Sequence, residues 1–120
     1  MLLQIIKSDF KEYSNLLKKW LFYRRHATKL SLAIRIADMK QLAFNKQITV
    51  ILNSNRKFEW WTNTDFKTAK RKKRIPKNWG ALDLAQVTFY QTPVSRNNRT
   101  SKEDRAKFKA KYMDYAERFM

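Results

Sequence analysis

"QITVILNSNRKFEWWT", residues 47–62, is where the chain changes its period. Residues 47–52 are β-branched and apolar, "NSNRK" is rich in turn formers, and "FEWWT" (58–62) is aromatic. That succession predicts a β-hairpin, since branched and aromatic side chains suit a pleated surface and Asn and Ser suit a reversal. Alternation along the second arm predicts that one of Trp60 and Trp61 faces inward and the other outward.

Upstream the period is helical. Tyr13, Leu16, Trp20, Tyr23, Ala27, Leu30, Ile34 and Ala37 follow a 3-4 spacing, continued by Phe44 and widened by Leu17, Leu21, Leu32 and Ile36. No Gly or Pro occurs before residue 75, so a long first helix is allowed. Ser8 is a candidate cap, with Asp9 and Glu12 at the positive end of the dipole. Two forms fit: an unbroken helix, or one bent near "RRHATK" (24–29), because thirty-odd residues is long for a globular helix. The stripe can cover this chain's own sheet or meet another copy. A three-stranded sheet needs a helix over it, which favours burial within the chain.

Downstream, Asn63 or Thr64 can cap a short helix carrying Lys67, Lys70, Arg71 and Lys72, ended by "RIPKNWG" because Ile75 precedes Pro76. "ALDLA" suits a turn. "QVTFYQT" (86–92) alternates Val87 and Phe89 against Thr88 and Tyr90, as a half-buried third strand would. "PVSRNNRTS" reads as a polar loop. Thr100 with Glu103 forms a capping-box pair opening a last helix, whose apolar face is Ala106, Phe108, Tyr112, Met113, Ala116 and Phe119. The expected fold is a single α+β domain over residues 1–120, with a three-stranded antiparallel sheet, a short basic helix and a C-terminal helix.

Charge bounds the function. The 120 residues carry 27 Lys and Arg against 10 Asp and Glu, a formal +17. Both halves share the excess, so this is a basic domain rather than a neutral one with a basic tail. Self-repulsion on that scale is relieved by a polyanion, and nucleic acid, DNA or RNA, is the first expectation. Zero cysteines exclude disulfides and Cys-containing zinc sites. "MLLQIIKSDFKEY" is too short in apolar residues for a signal core, and no run approaches a membrane span. The expected place is therefore intracellular (a host cytoplasm) or a virion, with no membrane partner.

"KTAKRKKRIPK" (67–77) concentrates seven cations: Lys67, Lys70, Arg71, Lys72, Lys73, Arg74 and Lys77. On a helix, Lys67, Lys70, Arg71 and Arg74 share one side and could neutralise several phosphates. The alternatives are a solvated segment or a nuclear-localisation signal. Arg96, Arg99, Lys102, Arg105 and Lys109 are secondary candidates. Trp60, Trp61 and Trp79 are candidate platforms for base stacking, although packing in the core is the commoner fate of such rings.

Catalysis has little support. His26 has no Cys and no second His as partner, and a helix-surface place is expected for it. One glycine cannot build a phosphate loop. A metal-dependent nuclease would need Glu59 and Asp83 to converge, which their spacing does not demand. No cofactor, metal or enzyme activity is expected.

The layout of "LAIRIADMKQLAFNKQITVILNSNRKFEWWTNTDFKTAKRKKRI" and then "ALDLAQVTFYQTP" resembles small basic proteins of tailed phages of gut Bacteroidetes, including crAss-like phages. The likeness spans roughly residues 30 to 93 and carries over no functional residue. It implies a phage role: binding the genome, forming part of the virion, or interfering with host machinery. Two function classes thus stand side by side. One is a nucleic-acid-binding protein acting through phosphates. The other is a structural subunit of an assembly, with the basic face on packaged DNA or an acidic protein and residues 13–37 meeting a second copy or an acidic partner. An uncovered first-helix stripe would favour the second class; a third reading is an inhibitor of a host nucleic-acid enzyme.

Overall fold

The computed structural model describes the backbone of residues 2–95 and 97–120, and the side chains of residues 10–80, 82–95 and 97–120. Helix α1 (Leu2–Phe44) runs for 43 residues without interruption. No bend occurs at 24–29, in keeping with the absence of Gly and Pro. Ser8 therefore lies inside the helix rather than at its start, and its side chain is outside the described residues. At about 1.5 Å per residue such a helix is about 64 Å long, which accounts for the longest dimension of the chain, 65 Å against 33 and 19 Å. The radius of gyration is 18.8 Å, whereas a compact chain of this length would have about 14 Å. The difference is α1 reaching past the rest.

Strands β1 (Thr49–Leu52), β2 (Phe58–Trp61) and β3 (Thr88–Gln91) form one antiparallel sheet in the order β2-β1-β3. The hairpin falls where its composition placed it. Asn53 Oδ1 accepts from the backbone N–H groups of Asn55 and Lys57, closing the turn. β1 is central and buried on both faces. One face carries α1 together with α4 (Lys102–Phe119); the other carries α2 (Asn63–Arg71) and α3 (Ala81–Val87).

Three local expectations are corrected. "ALDLA" is not a turn but most of α3, started by Asp83, whose carboxylate accepts the Gly80 N–H at 2.8 Å. Helix α2 is capped by Thr62, not Asn63 or Thr64: its hydroxyl accepts from Asp65 N–H while Asp65 accepts from Thr62 N–H. Helix α4 is capped by Ser101, which accepts from Asp104 N–H at 3.1 Å. Thr100 is engaged elsewhere, bonded to the Tyr90 hydroxyl at 3.0 Å.

The alternation expected of β3 also fails, for a definite reason. Val50 pairs with Tyr90, but Ile51 pairs with Thr88, so Phe89 is an extra residue, a β-bulge. A bulge rotates the chain so that neighbours share a face. Phe89 then packs with Leu30 and Tyr112, and Tyr90 with Ala33 and Ala37, both beneath α1 and α4. Thr88 faces the other way and donates to the Leu84 carbonyl of α3.

Only the far half of α1 is held. His26, Leu30, Ala33, Ala37 and Gln41 are buried, at the i, i+4, i+3, i+4 and i+4 steps that line one side of a helix. Ala33 and Ala37 let the helix approach the sheet closely, and the Ala33 carbonyl accepts from Trp60 Nε1 at 2.9 Å. Asp38 accepts from the Tyr90 hydroxyl at 2.7 Å and from Arg105 at 3.0 Å, tying α1, β3 and α4 at one point. Gln41 donates to the carbonyls of Pro93 and Ser95, anchoring the loop before α4.

His26 corrects the surface placement. It is buried, 4.4 Å from the Phe22 ring centroid, with Nδ1 3.2 Å from the Tyr112 hydroxyl. Burial, then the charges of Lys29 and Arg25, hold its pKa below the ordinary 6.5. A base kept neutral by the fold takes its proton more readily when unfolded. Its contribution is therefore complete above pH 6.5 and is lost as pH falls from 6.5 toward the folded value. Urea unfolding between pH 7 and 5 should show stability falling with pH, with the slope reduced in His26→Gln.

Burial within the chain, expected for the whole stripe, is found only from about residue 26 on, and there on one side of the helix, since Leu32 and Phe44 stay exposed. Tyr13, Leu16, Leu17, Trp20, Leu21 and Tyr23 are all exposed, from 42% to 65%. The sheet and α4 cover the later turns and end there. Leu30→Ala should cost about 2–5 kcal/mol, and Leu17→Ala, in dilute protein, less than about 0.5 kcal/mol. Denaturant midpoints of the two variants check this directly.

Candidate nucleic-acid interface

The basic run begins on α2. Phe66 and Ala69 turn inward against Ile51 and Trp61, which leaves Lys67 and Arg71 exposed and Lys70 half-buried across the Phe66 ring at 4.5 Å. The helix ends at Arg71, several residues before Pro76. Lys73 takes a left-handed conformation, φ 59°. The N–H groups of Lys73 and Arg74 return to the carbonyls of Lys70 and Ala69, the reciprocal bonds of a Schellman ending.

That ending breaks the expected helical face of Lys67, Lys70, Arg71 and Arg74. Arg74 folds back to Glu59, Nη2 to Oε1 2.9 Å, and lies 5.8 Å from the Trp61 ring centroid. Desolvation works to raise the Glu59 pKa, but hydrogen bonds from Arg74, Asn53 and Trp61 and the Arg74 charge outweigh it and hold it low. Ile75 is half-buried in the same cluster. The segment is thus pinned at Ala69, Arg74 and Ile75. Lys67, Lys70, Arg71, Lys72, Lys73 and Lys77 have no carboxylate partner among the described residues.

The secondary cations lie in the other layer. Lys102, Arg105 and Lys109 belong to α4, across the sheet from α2. Arg105 is committed to Asp38, and Lys109 sits 5.3 Å from the Tyr23 ring centroid. Lys102 is exposed, as is Arg99 in the preceding loop; Arg96 lies outside the described residues. One continuous patch joining the two groups is therefore not formed by these elements. Lys111 of α4 donates to the carbonyls of Ala85 and Thr88. It satisfies the end of α3, and burial lowers its pKa.

The tryptophan expectation is corrected as well. Trp61 is buried under α2 and Trp60 is half-buried under α1, because helices cover both faces of the sheet. Neither ring of the pair is free to stack a base; Trp79 is partly exposed. Glu59 is paired with Arg74 and Asp83 caps α3, so the two carboxylates are each engaged locally. Among the described residues no group of three or more His, Cys, Asp or Glu could hold a metal ion, and no helix is long and apolar enough to cross a membrane.

The first turns of α1 carry the uncovered stripe that the sequence left open as an alternative to burial within the chain. Phe10, Tyr13, Leu16, Leu17, Trp20, Leu21 and Tyr23 present at roughly 100 Å² each an apolar patch of roughly 700 Å², above the largest patch of a typical monomer. Sequence spacing identified the stripe but carried no sign of where its cover would stop.

Comparison with protein-family models, curated proteins and solved structures finds no match.

Lys73 offers a test of how the run is built. A β-carbon in the left-handed region is strained, and glycine relieves it. Lys73→Gly should raise stability, by less than the roughly 1–2 kcal/mol that the left-handed conformation costs an L-residue, since glycine's greater chain entropy offsets part of the relief, while leaving the other five unpaired cations in place. Thermal unfolding of the two proteins reads this out.

Proposed function

We propose that this chain is a non-enzymatic, basic subunit of a nucleoprotein assembly. The observation that carries the reading is the uncovered apolar face of α1 over residues 10–23. A solitary binding module has no use for seven large exposed apolar side chains on one helix, whereas a subunit uses them for protein contacts. The six unpaired cations of residues 67–77 supply the second half of the role. They lie in the layer opposite α1, so nucleic acid and a protein partner can be held together without competing for one surface. Contacts to phosphates would set affinity, with little base reading. The resemblance of residues 30 to 93 to phage proteins, taken from the sequence layout alone, would suit a virion or genome-associated subunit in particular.

Labelled single- and double-stranded DNA and RNA, titrated between 50 and 300 mM salt, test the reading. Wild-type protein should bind cooperatively, with affinity falling steeply as salt rises. Replacing Lys67, Lys70, Arg71 and Lys72 with Gln should flatten the log–log slope by about 3–4, or about 0.9 per lost phosphate contact. Leu17→Glu with Trp20→Glu should abolish cooperativity and keep the slope. Non-cooperative binding that neither variant changes would contradict the proposal.

A further inference from the structure

Two apolar faces run along α1, and they point in opposite directions. At about 100° per residue, His26, Leu30, Ala33, Ala37 and Gln41 share one side, the side packed on the sheet and α4. Phe10, Leu17, Leu21, Leu32, Met39 and Leu42 fall about half a turn away. All six are exposed, from 42% to 73%. This second stripe covers 33 residues and continues past the point where the body grips the helix, so the body cannot be its cover.

We infer that the occupant of this stripe is a second copy of the same chain, paired through α1 in an antiparallel manner. The inference rests on the subunit reading and names the partner of its protein-contacting face. Length is the first argument. A straight stripe of this extent needs a long straight helix opposite, and α1 is one. Pairing Phe10 with the other copy's Met39, and Leu17 with its Leu32, sets Leu21 beside Thr28 of the other copy, and each pair recurs about the two-fold axis. Area is the second argument. Six side chains at roughly 100 Å² each, with the flanking Ser14, Thr28 and Ser31, bury roughly 1,200–1,600 Å² over both copies, the size of a stable interface.

Charge placement is the third argument. Lys11, Lys18, Lys29 and Lys40 sit well off the stripe, so pairing leaves these four displayed. Two arginines interrupt it. Arg35 comes opposite Ser14 of the other copy, and Arg24, held 5.2 Å from the Trp20 ring centroid, comes close to its own counterpart at the two-fold axis. Two chains at +17 also repel. Repulsion of this kind is screened over about 8 Å at physiological ionic strength, so this pairing must tighten as salt rises. Binding to an acidic protein, a nucleic acid or an anionic bilayer would do the reverse.

Sedimentation equilibrium of the full chain, without nucleic acid, at 0.1, 0.2 and 0.5 M salt reads this sign. The expected result is a monomer–dimer equilibrium in the micromolar range that shifts to dimer with salt. Arg24→Leu should tighten it severalfold at every salt, and Leu17→Glu with Leu32→Glu should give a monomer of unchanged helical circular dichroism. Because the chain has no cysteine, orientation can be read separately. A Leu17→Cys chain mixed with a Leu32→Cys chain should form the mixed disulfide on oxidation, faster than either forms with itself. Three results would overturn the inference: a wild-type monomer at every salt, association that weakens with salt, or a monomer that sediments with phosphatidylserine vesicles. A monomer that still bound DNA cooperatively would remove this pairing and leave the subunit reading standing.

Discussion

The burial of one side of α1 against the sheet and α4 is the contact on which the rest of the fold depends. Leu30, Ala33 and Ala37 sit at 2% exposure or less, and the polar groups around them are all engaged. Asp38 joins Tyr90 and Arg105, Gln41 holds the loop after β3, and Trp60 reaches the Ala33 carbonyl. Desolvation, followed by the nearby Asp38, pushes the Tyr90 pKa up to about 12. Among the described residues no buried side-chain nitrogen or oxygen lacks a partner, as expected where unpaired polar groups would be costly. A three-stranded sheet of four-residue strands has little stability alone. It is α1 and α4 on one side and α2 and α3 on the other that make it a core.

Much of this was legible in the sequence. The change of period at residue 47 marked the hairpin, and the absence of Gly and Pro allowed an unbroken α1. What could not be read was decided by tertiary packing. Phe89 and Tyr90 looked like opposite faces of a strand until the bulge placed them together. Ser101 took the cap because Thr100 was needed by Tyr90, a residue ten positions away. Trp60 and Trp61 alternate as strand residues should, yet both are covered, since alternation tells which face a ring is on and not whether that face meets water.

The basic run shows the same limit from the electrostatic side. A helical projection groups Arg74 with Lys67, Lys70 and Arg71, but the helix stops three residues earlier and Arg74 is drawn to Glu59. Lys73 accepts backbone strain so that the chain can reverse there. What remains is a pinned rim of unpaired cations on the side of the sheet away from α1. The seam on α1 is covered over its later turns, and a second apolar stripe runs along the opposite side of the helix. One belongs to the fold, and the other has no cover within the chain.

That α1 is clamped over its later turns and free over its first ones is the central claim, and amide hydrogen exchange measures it residue by residue. In dilute protein, amides of residues 10–23 should exchange much faster than those of 30–41, because only the latter turns are clamped by the body. At a concentration where chains associate, protection should extend into residues 10–23 while 30–41 changes little. Strong protection of 10–23 in dilute protein, equal to that of 30–41, would mean that α1 is held by its own chain throughout and would contradict a helix clamped only over its later turns.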